Sequence, residues 1–417
     1  MFSWLRVDDD TGVPRPILDS ILLRLLGRQR IRKVRGAIPW NVRGPIEYCW
    51  WQVVTWVGFP VVRLSRFVAR IKREERVLGI YNFWEQGGRI GDVIIFYQAL
   101  NVVRAMVKLP WIDIAFIDDQ NSPYYKKDPI RSQLEWKRSV MDMHSVIPRS
   151  GSIFYFNSDV EFEKFFKDNY HRYFCWPQYR KFHSWPSRIN RRFVSTWLNT
   201  MPGRVTLIRE HLAREGKLPH LCCPPEITDW ALKFVEEKVS PSLPVVVHLR
   251  NSTFDQTRNS NIEAWGEFFR SQLTDDRFKF ILIGHEQGIV PQFRELSNVF
   301  FSKDYGTTLE QDLALMQVAH MCLIHASGPG VFPEFTGIPF LKFVDASLQR
   351  STREKQVIGL ADDASIGCEN EFQRLITEPE TTEVLLTEFS RLVSELNQAR
   401  WENPMKKHDS KSDETIY

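Results

Sequence analysis

At about 150 residues per globular domain, a chain of 417 residues has room for two domains plus accessory length, which excludes one small motif-bearing module. Hydrophobic residues make up 43% and charged residues 25%, which excludes a mainly disordered or collagen-like chain. The net charge of +4 is unevenly spread, because residues 1–76 hold 15 Lys/Arg against 7 Asp/Glu while the remainder is slightly acidic; this local basicity points to a contact with something anionic.

No secretory signal is expected at the start of the sequence, because the first apolar run, Ile17 to Leu26, is short, contains Arg24 and follows Asp8-Asp9-Asp10. The apolar stretch CWWQVVTWVGFPVV (49–62) falls well short of the ~20 residues that span a bilayer. After it, RLSRFVARIKREER interleaves Arg63, Arg66, Arg70, Lys72 and Arg73 with Leu64, Phe67, Val68 and Ile71. Residues 49–76 therefore read either as an interfacial helix on an anionic membrane surface or as an amphipathic helix packed on the protein's own core. Residues 1–76 are expected to form a basic, Trp-rich helical extension.

From residue 77, strand and helix patterns alternate. VLGIY (77–81) is a buried strand, EQGGRIG a glycine-bearing turn, DVIIFYQALNVVRAM a helix and WIDIAFID (111–118) the next strand. This is a βαβ unit, which implies a parallel sheet covered by helices. Residues 120–225 give no such alternation. Between Lys164 and Arg192 stand eight Lys/Arg, one acid and nine aromatics, a composition suited either to an anionic glycan, lipid phosphate or single-stranded nucleic acid, or to a half-buried helix with a solvated basic face.

The prolines of KLPHLCCPPEI (217–227) mark a boundary, placing an N-terminal domain at 77–222 and a C-terminal domain at 223–380. The six cysteines (Cys49, Cys175, Cys222, Cys223, Cys322, Cys368) include no CxxC, so they are read as reduced and structural, in a cytoplasmic protein. Cys222-Cys223 beside His220 fits a packed hinge better than a metal site. The second domain alternates clearly: PVVVHLR, the helix NIEAWGEFFRSQL, FKFILIG, NVFF, the helix TLEQDLALMQVAHM, CLIHA, the turn SGPG and PFLKFV. TTEVLLTEFSRLVSELNQARW (381–401) is a terminal helix, and 403–417 is expected to be a disordered tail.

Ligands of parallel α/β sheets bind beyond the carboxyl ends of the strands, so the turns there carry the candidates. In EQGGRIGD, Gly87, Gly88 and Gly91 allow a ligand close to a helix start, and Gly88, Arg89 and Gly91 are acceptor-side candidates, but Gln86 stands where a dinucleotide fingerprint needs glycine. Asp92 is either an ordinary helix-start carboxylate or one able to take a proton from a hydroxyl nucleophile. His248 and Arg250 end a buried strand on one face, where Arg250 is able to clamp a pyrophosphate, and Arg258 and Asn259 precede the next helix. Ser327, Gly328, Pro329 and Gly330 permit close approach of a phosphate to a helix N-terminus. Glu334 follows, as a ribose acceptor or as a partner of the helix dipole. Asp118-Asp119 has no third ligand for a divalent metal, and no P-loop, HExxH or GxSxG occurs.

Together, RIGDVIIFYQAL (89–100) and the block from VVVHLR to HASGPGVFPEFTGIPFLKF resemble the heptosyltransferase-like glycosyltransferases of the GT-B fold. They look closer still to a bacterial group of glycosyltransferases that pairs a strand ending in H-x-R with a downstream R-N-x-x-I-E-x-W/Y helix start. The likeness spans about residues 77–110 and 240–345. It implies two Rossmann-like α/β domains facing across a cleft, an acceptor-binding first domain, a nucleotide-sugar-binding second domain, and no metal or other cofactor. It also implies that Gly91-Asp92 supplies the catalytic base, that Ser327, Gly328 and Pro329 bind the donor, and that the anomeric carbon inverts. His325-Ala326 departs from the acidic or Ser/Thr residue often found there.

The expected function is transfer of a sugar from a nucleotide-sugar to a hydroxyl of an anionic or lipid-linked cell-envelope glycan, at the cytoplasmic side and in contact with the inner membrane face. The alternatives are a noncatalytic basic module binding RNA or another anionic polymer, with nucleic acid the less favoured partner, and a peripheral membrane scaffold.

Overall fold

The computed structural model describes residues 76–83, 88–118, 134–169, 172–176, 201–251, 259–284, 292–325, 328–344 and 369–402. The expected membrane-facing segment, all of the extension but Arg76, Gly87, most of the basic aromatic stretch, Asp119, Arg258, Ser327 and the tail 403–417 lie outside the described residues.

The first half is a four-stranded parallel sheet of order β3-β2-β1-β4. Its strands are β1 (Arg76–Asn82), β2 (Trp111–Ile117), β3 (Ser150–Phe156) and β4 (Tyr173–Trp176). Arg76, assigned above to the extension, is the first residue of β1 and pairs with Asp113. Alternation divides β1 between two layers. Val77 and Tyr81 face α1 (Ile90–Val107) and α4 (Met201–Glu215), whereas Leu78 and Ile80 pack towards Phe162 of α3 (Asp159–Asn169). Between Val77 and Tyr81, a side chain on Gly79 would come 2.4 Å from Leu100 Cδ1, so glycine there lets α1 lie directly on the strand.

Helix α1 is long and apolar enough to cross a membrane by length and composition, and 72% of it is buried inside the protein as a core helix. Its two fully buried amides point at the interdomain segment: Gln98 donates to the Pro219 carbonyl, and Asn101 to those of Pro219 and His220. α2 (Leu134–Asp142) completes this half, with Trp136 Nε1 donating to Gly88 O at 2.7 Å.

The second half is a six-stranded parallel sheet, β10-β9-β8-β5-β6-β7. Its strands are β5 (Leu243–His248), β6 (Phe278–Leu282), β7 (Val299–Phe301), β8 (Met321–His325), β9 (Phe340–Phe343) and β10 (Gln373–Ile376). Counted from β5, this is the 3-2-1-4-5-6 order of a dinucleotide-binding α/β fold, with its reversal between β5 and β8. Val246, Cys322 and Ile324 share a core with α1 and α7 (Leu309–Val318). Val245, Val247, Met321 and Leu323 pack instead with α6 (Ile262–Ser271) and α8 (Thr382–Glu402).

Gly216, at φ +73°, follows α4, and the connection runs to Pro224 before α5 (Pro225–Lys238) begins. The prolines read as a boundary therefore also start a helix, because the first helical position has no N–H to lose. The connection is gripped on several sides: Leu221 N donates to Phe335 O, Cys222 N to Val146 O and Cys223 N to Gln317 Oε1. Cys222, Cys223 and Cys322 are free thiols, and burial raises the pKa of each.

One expected element is replaced. The segment after SGPG is not an α-helix but two single 3-10 turns, Pro329–Val331 and Pro333–Phe335. Pro333 has no N–H with which to continue the first turn, so no helix N-terminus faces a phosphate there.

Candidate active site

The two glycine-bearing turns meet. A Cβ on Gly91 would lie 3.4 Å from Gly328 Cα and 3.3 Å from Val331 Cγ2, and one on Gly328 would lie 2.9 Å from Ile90 Cβ. Backbone thus packs against backbone, and the start of α1 lies beside the turn that follows β8. Since α1 follows the carboxyl end of β1, the carboxyl edges of the two sheets face each other. Gly88 is buried under Trp136, and Arg89 is exposed.

Asp92 sits in the first turn of α1, where the helix dipole favours a carboxylate. Beneath it lies a residue that sequence reasoning missed. Arg204 of α4, 2% exposed, donates from Nη1 to the Asp92 carbonyl at 3.1 Å and stacks its guanidinium on Phe96 and Tyr81, with 5.1 and 5.7 Å to the ring centroids. Burial lowers its pKa to about 10, against the opposing pull of Tyr81 and Asp92, so it remains a cation at neutral pH. The one signal for it in the sequence is an arginine on the apolar face of α4, beside Val205 and Ile208.

Across the interface, His248 ends β5 opposite Ile324 and His325, the next residue, ends β8, so alternation directs the two rings to opposite faces of the sheet. Burial first, then the charges of His325 and Arg250, lower His248 to about 3, so its ring is neutral. Arg250 is half-buried, and its backbone exchanges hydrogen bonds with Ser260: Arg250 N donates to Ser260 Oγ, and Ser260 N donates to Arg250 O. Asn259 is in the same loop, donating to Asn251 Oδ1 at 3.4 Å. The structure thus brings together Gly91 and Asp92 with Gly328, Pro329 and Gly330, and His248 with Arg250 and His325.

Glu334 is placed differently from a cleft-facing ribose acceptor. It is 3% exposed and accepts a short hydrogen bond from Lys342 of β9; burial raises its pKa, and Lys342 opposes that rise. Asp118 is likewise enclosed, receiving both Lys137 Nζ, at 2.8 and 3.0 Å, and the Tyr155 hydroxyl. Among the described residues no group of three or more His, Cys, Asp or Glu is arranged to hold a metal.

No family model and no curated protein matches the chain. Among solved structures, it is similar to ADP-heptose lps heptosyltransferase II of E. coli, with 12% identity and a TM-score of 0.48 over 78% of this chain and 99% of that one. It is also similar to a glycosyl transferase family 9 protein of Veillonella parvula, with 10% identity and a TM-score of 0.47 over 77% and 97%. A third is UDP-GlcNAc 2-epimerase of Neisseria meningitidis bound to UDP-GlcNAc, with 12% identity and a TM-score of 0.30 over 76% and 91%. The α/β class itself is read directly from the two parallel sheets.

Proposed function

We propose that the chain is a heptosyltransferase-like glycosyltransferase, moving a sugar from a nucleotide-sugar to a hydroxyl of a lipid-linked or anionic cell-envelope glycan without a metal. The observation that carries this reading is the Gly91–Gly328 packing, which sets the carboxylate-bearing start of α1 against the strand-end turns of the second sheet. Asp92 takes the proton of the acceptor hydroxyl. The acceptor oxygen bonds to the anomeric carbon as the bond from that carbon to the diphosphate breaks, and the electron pair leaves on the diphosphate oxygen. Arg250 and the backbone around Gly328 stabilise that charge, with Arg258 and Asn259 from the same loop as Arg250. The basic entry segment suits an acceptor held at the cytoplasmic face of a membrane.

The test is turnover of a panel of UDP-, ADP-, GDP- and CMP-sugars by the full chain, with a membrane glycolipid fraction as acceptor. Release of nucleotide that depends on both donor and acceptor, and survives a chelator, is expected. Salt-sensitive RNA binding with no nucleotide-sugar turnover would instead assign the chain to the basic binding modules.

A further inference from the structure

Away from the strand-end turns, the two halves meet at a second seam. The 3-10 turn Met143–Val146, which continues α2, packs against α7, and Ser145 Oγ donates to Glu310 Oε1 in a short hydrogen bond that joins the halves directly. Three further elements fix the seam. Tyr97 of α1 donates from its hydroxyl to Val140 O at 3.0 Å, and Cys222 N of the connection donates to Val146 O at 2.9 Å. Gln317 of α7 accepts from Cys223 N at 2.6 Å and donates to Thr228 Oγ1 of α5 at 3.2 Å. Each of those bonds joins neutral groups. The bond from Ser145 differs, because its acceptor is a carboxyl group.

Glu310 lies half-buried in the first turn of α7, where the helix dipole favours a carboxylate. Burial opposes one more strongly: it raises the Glu310 pKa, the Ser145 bond resists that rise, and the like charge of Asp142, exposed at the end of α2, adds to it. The other titratable groups around the seam leave this charge unanswered. His144 pairs through Nδ1 with Ser150 Oγ at 2.8 Å, and burial lowers its pKa. Tyr97 and Cys223 stay protonated, both pushed up by burial. On α7 itself, Asp312 is bound by Lys303, Ser302 and Thr307. On α2, Lys137 is taken by Asp118, while Glu135 and Arg138 are exposed.

We infer that this seam is an acid-strengthened clasp between the two halves, tight when Glu310 is protonated and loosened when it ionises beside Asp142. The inference stands apart from the chemistry proposed above. Ser145 donates to Glu310 Oε1 in either state, so ionisation keeps the bond and adds the cost of a half-buried charge facing a second carboxylate. Because the pKa is higher in the folded chain than the ordinary 4.5, the clasp contributes fully below 4.5 and its contribution is lost as pH rises through the raised value. The same halves meet at Gly91 and Gly328, so the clasp sets how firmly the facing sheet edges are held.

The experiment is amide hydrogen exchange on the full chain near pH 4.5 and near pH 7.5, with protection at 143–147 and 220–224 taken relative to intrinsic exchange at each pH. E310Q keeps an acceptor for Ser145 and removes the charge. At the higher pH, E310Q is expected to protect the seam roughly three- to tenfold better than wild type, the scale of one hydrogen bond, and at the lower pH the two should converge. Acid effects elsewhere, that of His248 included, are common to both proteins and cancel in the comparison. S145A should protect the seam less than wild type at both pH values, and 382–396 of α8 should not change in any variant. Equal pH dependence in E310Q and wild type, or weaker protection in E310Q at the higher pH, would overturn the clasp. Loss of the pH dependence in H144Q would also overturn it, by assigning the titration to the imidazole. If E310Q does not fold, D142N decides: removing the neighbouring charge should raise seam protection near pH 7.5, and unchanged protection would overturn the inference.

Discussion

The two sheets share a topology and differ in what they carry on it. The first, β3-β2-β1-β4, repeats the order β7-β6-β5-β8 of the second, and both reverse beside their first strand. Beyond that reversal the first sheet offers the helix start that carries Asp92, whose backbone carbonyl accepts from the buried Arg204. The second offers two imidazoles and an arginine, with the acid Glu380 buried behind one of them. One edge presents a carboxylate and the other presents imidazole and guanidinium groups. That division comes from a handful of strand-end residues, while the strands themselves are interchangeable apolar runs.

Removing the carboxylate from the first edge should have the largest effect. D92N is expected to lower turnover roughly 10²- to 10⁴-fold, the range for loss of a positioned general base, with donor KM nearly unchanged. Full activity in D92N would erase the contrast between the edges. On the second edge, R250M should cut kcat/KM for the donor by about a hundredfold and leave acceptor KM alone, as expected for a group acting on the leaving diphosphate. An equal loss in acceptor KM would mean that Arg250 serves both halves.

The contact between the edges is tested by G328A. Its new Cβ meets Ile90 Cβ at 2.9 Å, so turnover should fall about tenfold through misalignment, with G91A milder because its contacts begin at 3.3 Å. Intact kinetics in G328A would show that the alignment tolerates the methyl group. The smallest effect is on stability. His248 has its pKa depressed in the folded chain from 6.5 to about 3, so the unfolded chain binds more protons in that interval. The stability it contributes is present above pH 6.5 and is lost as pH falls towards 3. H248N should flatten that acid limb in denaturant melts followed against pH, and an unchanged limb would mean the ring is protonated in the folded state.

The second half was legible because its strands are short buried runs separated by helical periods, and β5, β6, β8 and β9 lie where those runs lie. Residues 120–225 were opaque for a physical reason. β3 is an edge strand with half-buried side chains, so SGSIFYF lacks a clean apolar run, and α4 hides an arginine in its core face. Asp92 and the glycine turns were readable from their place after strands. Glu380 was not: within TEPETTE it looks like one more solvated acid, and only the folded chain brings His325, 55 positions away, against it. The helix expected after SGPG failed on proline, which local smallness had masked.

The connection at 216–224 is no loose tether. Its carbonyls are held by α1, its amides by Val146, Gln317 and Phe335, and a single apolar cluster runs from Val77 through Phe332 to Val246 and Ile281. Melting either half would strip the other of part of its interior. The described halves should therefore give one calorimetric transition, with matching calorimetric and van't Hoff enthalpies, and two resolved transitions would show that each half carries its own stability.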